Sequence, residues 1–245
     1  MQLRVLTYNI RHGEGLDGRV ALGRVAAVLA ASDPDLVALQ EVDAFLPRSG
    51  FRHQARALAR LLGMRCVFGP TFTLAMLSFF GNAVLSKFPV TAVRRYRLPG
   101  KGEPRGLLRV TVDGEGMPVC FLATHLGLGV EARKVQVEKI AEILREITMP
   151  FILAGDFNCL PGAAELAPLL SLVSDAAAGF PGPEPTYPAG EPWARIDYIF
   201  ISPHWTAREV RAIATEASDH LPVLAVLKRC GEQSTEGDGD AAPEA

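Results

Sequence analysis

Cysteine is scarce and scattered in this chain. Cys66, Cys120, Cys159 and Cys230 form no Cys-x-x-Cys pair and stand at no zinc-like spacing to a histidine. A disulfide framework and a cysteine-based metal centre are both disfavoured, and a reducing compartment is expected. Hydrophobic residues make up 49% of the 245 positions, yet no apolar run reaches membrane-spanning length, so no stable membrane insertion is expected. The first residues, MQLRVLTYNI, have the pattern of a strand and lack a basic stretch followed by an apolar one, which points to a cytoplasmic protein. No repeat period is present, which disfavours a solenoid. Excess positive charge is missing too. Segment 231–245 holds five acids (Glu232, Glu236, Asp238, Asp240, Glu244) and no base, and outside it 25 basic side chains face 22 acidic ones. Such a mildly basic body argues little for a grip on long nucleic acid. The small, acidic segment is expected to be a disordered tail following one domain over residues 1–230. No feature indicates an obligate protein partner.

What the chain does have is a recurrent pattern: short β-like runs that finish on polar residues. LRVLTYN ends on Asn9, DLVALQE on Glu41, VCFLATH on His125, and FILAGDFN on Asp156 and Asn158, while RIDYIFIS carries Asp197 near its start. Helical periodicity appears over 19–31, over 51–62 with Gly63 as a stop, and over 130–147. Further strands are expected at 81–87, 106–112 and 221–227. Strands come singly between helices and in successive pairs, which favours mixed or antiparallel sheets covered by helices over a doubly wound parallel sheet.

Alternation along a strand puts Asp156 and Asn158 on one side if the strand continues through Phe157. A carboxylate that moves a proton, beside an amide that donates hydrogen bonds, suits attack on an anionic centre. An Asx-type turn ahead of CLPG is the structural alternative. Asp219 and His220 precede a wholly apolar strand, and histidine exchanges protons near neutrality. Asp197 between Ile196 and Ile199, and Glu41 after an apolar run, are acids that need a cationic partner, a His⁺ or a metal, if buried. Each of these alone fits a surface ion pair. Together they are hard to explain so.

The ordered set TYNIRHG (7–13), LQEVD (39–43), GNAVLSK (81–87), THLG (124–127), GDFN (155–158), RIDYIF (195–200) and SDH (218–220) resembles the endonuclease/exonuclease/phosphatase superfamily of metal-dependent phosphoesterases, the DNase I-like enzymes. The resemblance implies an α/β four-layer sandwich, two packed mixed or antiparallel sheets flanked by helices, with the site at one end of the sheets. It implies Mg²⁺ or Mn²⁺ against Glu41, with Asn9 and Asp219 near the metal. His220 would pair with Asp197, Asp156 would orient or deprotonate water or assist the leaving oxygen, and Asn158 and His125 would hydrogen-bond the phosphate. Either Asp156 or His220 is open as the base. An oxygen-rich set without cysteine agrees with a hard cation.

The implied activity is hydrolysis of a phosphoester, with a small molecule, a nucleic acid or a lipid headgroup as substrate. A phosphodiesterase, an endo- or exonuclease, a sphingomyelinase-like enzyme and a non-catalytic binder of a phosphorylated ligand remain alternatives. His125 stands where the abasic-site DNA repair branch carries a tyrosine, which turns the resemblance away from that branch. Three further residues are substrate-binding candidates: Arg105 as a phosphate fork, Asn82, and His12 close to Asn9. The apolar stretch 71–80 is expected to be a buried strand, with a lid or lipid-contacting loop as the alternative. Arg133 and Gln136, one helical turn apart, either support the site from behind His125 or solvate their helix.

Overall fold

In the computed structural model, which describes residues 1–74, 78–180 and 184–231, the chain folds into two packed six-stranded sheets. The first part of the chain forms β1 (Gln2–Asn9), α1 (Leu22–Ser32), β2 (Leu36–Ala44), α2 (Gln54–Leu62), β3 (Arg65–Leu74) and β4 (Ser78–Ser86). The middle forms β5 (Val90–Arg97), β6 (Gly106–Gly114), β7 (Met117–His125), α3 (Val130–Arg145) and β8 (Phe151–Asp156). Then follow α4 (Ala167–Leu170), β9 (Ser174–Asp175), β10 (Asp197–Ile201), β11 (Trp205–Ala212) and β12 (Val223–Arg229). One sheet has the order β11-β12-β1-β2-β4-β3 and the other β5-β6-β7-β8-β10-β9. Both are mixed: β1–β2 and β7–β8 are parallel and the other pairs antiparallel. The expected four-layer sandwich is the architecture found.

Strand alternation builds the layers. Leu3 and Val5 of β1, Leu36 and Ala38 of β2, Val119, Phe121 and Ala123 of β7, Ile152 and Ala154 of β8, and Ile199 and Ile201 of β10 fill the space between the sheets. Their neighbours point outward. Leu6, Tyr8, Val37 and Leu39 pack with Val25, Leu29 and Leu58 of α1 and α2, and Leu122, Leu153 and Phe200 pack with Val137, Ile140 and Leu144 of α3. Period-two alternation therefore assigns a destination to each residue near a strand end. Asn9, His125, Asp156 and Asp197 all continue the inward series of their strands, so they meet where the apolar core between the sheets stops.

Local chemistry adjusts the expected boundaries. α1 starts at Leu22 instead of 19 because Val20 is held in a bridge to Glu14. α2 starts at Gln54, where the His53 ring accepts the Arg56 N–H at 3.4 Å, and it ends at Gly63 with φ +65°, as the glycine predicted. Stretch 71–80 supplies the facing ends of β3 and β4, so strand was right and burial was not. Phe72 is 41% exposed and Phe80 half-buried, since β3 is the edge of its sheet; residues 75–77 lie outside the described residues. The acidic segment 232–245 also lies outside them. Among the described residues no helix is long and apolar enough to cross a membrane.

Candidate active site

Four strand ends converge on Asp156, which is 1% exposed. One oxygen, Oδ2, accepts the Asn9 Nδ2–H at 3.0 Å and lies 3.4 Å from His125 Nε2 and 3.7 Å from His220 Nε2. The other, Oδ1, accepts the backbone N–H of Asn158 at 2.9 Å. The Asx turn and the site are therefore the same object: the turn puts Asn158 at φ +52° and brings its amide to Leu126 O (3.0 Å) and His125 Nε2 (3.1 Å). Gly155 is required here because a Cβ would stand 2.1 Å from the Thr124 carbonyl oxygen of the neighbouring strand.

β2 reaches the site by an irregularity. Simple alternation would bring Gln40 inward and Glu41 outward, but the register between β2 and β4 slips between Leu39 and Val42, setting Gln40 and Glu41 opposite one residue. Glu41 takes φ +56° in this bulge, and its Oε1 accepts the second Asn9 Nδ2–H bond at 3.2 Å. A non-glycine residue held in the left-handed region inside a strand costs on the order of 1 kcal/mol, and a bulge that re-aims a side chain is a common device beside active sites. Asn9 thus holds two carboxylates, Glu41 and Asp156, by one amide nitrogen, while its Oδ1 accepts the Arg11 N–H at 3.1 Å. Ser218 Oγ–H donates to Asn9 O at 2.8 Å, tying the SDH loop to β1, and Oγ lies 3.2 Å from Asp219 Oδ1.

The electrostatics follow from partners. His220 Nδ1–H donates to Asp197 Oδ2 at 2.9 Å. Burial alone would strip the His220 proton, but the Asp197 charge and hydrogen bond, with the charges of Asp156 and Asp219, outweigh it and push the ring up to about 10. Asp156 is pushed up to about 7 by burial and by the Asp197 charge, against the opposing pull of His220 and its two amide donors. His125 goes the other way. Burial, then the charges of Arg105 and His220, hold it well below the ordinary 6.5. Arg105 Nη1 stands 2.9 Å from His125 Nδ1 and Asn158 Nδ2 stands 3.1 Å from its Nε2; both are donor-only groups, so donors meet the ring at both nitrogens and favour its neutral form.

The remaining candidates fall around this cluster. Arg105, 8% exposed, also pairs with Glu103 at 3.0 Å. Asn82 lies in the same inter-sheet layer but spends its amide N–H on Gly106 O at 3.0 Å, tying the two sheets together beside Arg105. His12 faces Glu14 through Nε2 at 3.4 Å, and its Nδ1 is buried without a partner. Among the described residues neither the Asn82 nor the His12 side chain hydrogen-bonds the cluster. Arg133 and Gln136 support the loop after His125: Arg133 donates to Leu128 O and pairs with Glu165, and Gln136 Oε1 accepts the Gly127 N–H at 2.8 Å. Two contributors escaped the sequence. Arg11, at φ +42°, sets its Nε 3.6 Å from Asp219, and Tyr187 lays its ring 4.8 Å from that of His220. Arg11's place between Asn9 and His12 was the available signal; Tyr187 had none.

Glu41, bound to Asn9, and Asp219, beside Ser218, offer carboxylate oxygens at the edge of this cluster, donors of the kind a hard cation takes. The buried thiols of Cys120 and Cys159, pushed up by burial to about 11 and about 12, are remote from thiolate chemistry. Asp156, Asp197 and His220 also have atoms within 4.8 Å of one another. A proton already occupies the Asp197–His220 contact, and ligation needs a neutral ring, so Glu41 is the better anchor for a cation.

A model of the Endonuclease/Exonuclease/phosphatase family matches residues 6–220 of the chain. An endonuclease/exonuclease/phosphatase of known structure from Beutenbergia cavernae DSM 12333 is similar, with 29% identity, a TM-score of 0.79, and 93% of this chain and 72% of that one covered. The mannosyl-6-phosphatase Bt3783 of Bacteroides thetaiotaomicron VPI-5482 shares the fold at 23% identity, with a TM-score of 0.74 over 92% of this chain and 99% of that one. So does the human Nocturnin catalytic domain, solved with bound sulfate, at 20% identity and a TM-score of 0.72, over 93% and 94%.

Proposed function

The chain belongs to the endonuclease/exonuclease/phosphatase family, and on that premise we propose that it is a Mg²⁺- or Mn²⁺-dependent phosphoester hydrolase acting as a phosphodiesterase. The observation that carries this is Asp156: a buried carboxyl held near neutrality, ringed by Asn9, Asn158, His125 and His220. A base poised near the working pH combines the right protonation state with a strong pull on the proton. His220, cationic until about 10, is full of protons at neutrality and cannot be that base. Asp156 therefore deprotonates the attacking water, and the His220 imidazolium, oriented by Asp197, donates towards the leaving oxygen.

Neutral His125 and the Asn158 amide supply hydrogen-bond donors to the non-bridging oxygens as charge accumulates on them. Arg105 is a positioning residue in this scheme, since its charge beside Nδ1 keeps the His125 ring neutral. Glu41 would hold the cation, with Asp219 as a further carboxylate and Asn9 orienting Glu41, and a cation held there would neutralise phosphate charge. Hydrolysis of bis-(p-nitrophenyl) phosphate with Mg²⁺, Mn²⁺ or EDTA tests the proposal. Turnover with metal that EDTA abolishes, and that Asp156→Asn reduces by about 10³-fold, is the expected result. Equal turnover by parent and folded variant would refute it.

A further inference from the structure

Beside Glu41 opens a groove of about 760 Å³ walled by Leu46, Pro47, Phe72, Phe80 and Pro104. Phe72 and Phe80 are direct cross-strand partners on β3 and β4, and both side chains line the groove. The Arg48 guanidinium lies over the Phe80 ring at 5.3 Å, extending that wall with a flat face. Positive charge here is already matched. Arg48 donates to both oxygens of fully buried Asp43, at 2.9 and 2.8 Å, and next to the groove Arg105 pairs with Glu103, which lines it. Of the residues lining the groove, a second phosphate would meet Glu41, Glu103 and an Arg48 already bound to Asp43, whereas an uncharged ring would meet two phenylalanines.

We propose that this groove selects the alcohol part of the substrate, and that it takes a planar, uncharged aromatic ring attached to the phosphate, not a polyanionic strand. The inference rests on the phosphoesterase reading of the adjoining site and names the substrate class for it. Small-molecule pockets of this kind are mostly apolar with a few polar groups that fix orientation, and Glu41's cation and the Asp156 cluster would provide those.

The test measures equilibrium binding of benzylphosphonate and methylphosphonate to the full chain with Mg²⁺, together with a single-stranded oligonucleotide at two salt concentrations. Benzylphosphonate is expected to bind about tenfold tighter than methylphosphonate. Phe72→Ala and Phe80→Ala should each pull that ratio towards one; Phe72 is exposed enough for its variant to fold if Phe80→Ala does not. Equal binding of the two phosphonates would overturn the inference. So would an oligonucleotide that binds more tightly than benzylphosphonate and loses affinity steeply with salt, the mark of many phosphate contacts. Turnover of bis-(p-nitrophenyl) phosphate is scored separately. Turnover without ring preference defeats the groove and leaves the reaction, and ring preference without metal-dependent turnover defeats the reaction and leaves the groove.

Discussion

His125 and His220 are both 5% exposed and both face the same oxygen of Asp156, at 3.4 and 3.7 Å, yet they are held in opposite charge states. His220 looks at Asp197 and keeps its proton to about 10; His125 looks at Arg105 and stays neutral well below 6.5. Burial disfavours the charged form of each, so burial cannot be what separates them. The partner on the far nitrogen decides: an acceptor-only carboxylate stabilises a cation, and a donor-only guanidinium forbids one. Two similar rings thereby become a cation and a neutral ring around one carboxyl.

Removing the cationic arm is the harshest way to break this contrast. His220→Ala leaves Asp156 and Asp197 as buried carboxylates with no counter-charge, so a loss of about 3–5 kcal/mol in urea unfolding is expected, with kcat/KM reduced about 10⁴-fold. Asp197→Asn keeps the shape and removes the charge. It should bring the His220 ring back towards its ordinary range and shift the alkaline limb of the pH–rate profile down from about 10, with about 10²-fold lower kcat. Arg105→Met targets the other arm. His125 would gain a proton at higher pH than in the parent, visible as a new acid limb, with a rate loss of about tenfold at neutrality.

The gentlest change alters only pH. In the parent, kcat/KM should rise tenfold per unit while Asp156 loses its proton, level off above about 7, and fall again as His220 deprotonates near 10. A profile flat through 7 would remove Asp156 as base.

Much of this was legible in the sequence because alternation along buried strands is a strong signal. Asn9, His125, Asp156 and Asp197 stand at even offsets from inward apolar residues, so their meeting point follows from pattern alone. Glu41 is a different case. Its offset has the wrong parity, and only the bulge at φ +56° corrects it, a feature no local propensity announces. Long-range pairing was the least legible layer. Arg105 is a phosphate-fork candidate by residue type, and nothing in the sequence announces that its guanidinium meets His125, 20 residues away. No sequence pattern marks the edge strands β5 (VTAVRRYR) and β11 (WTAREVRA) either, since their charged, exposed faces lack the apolar alternation of a half-buried strand.

The central claim is that Asp197 and Arg105 impose opposite protonation on two equivalent rings. Imidazole titration by NMR in EDTA, with His125→Gln and His220→Gln used to assign the signals, tests it most directly. One ring should keep its proton up to about pH 10 and the other should stay neutral well below 6.5; both rings titrating together in the ordinary range near 6.5 would contradict it.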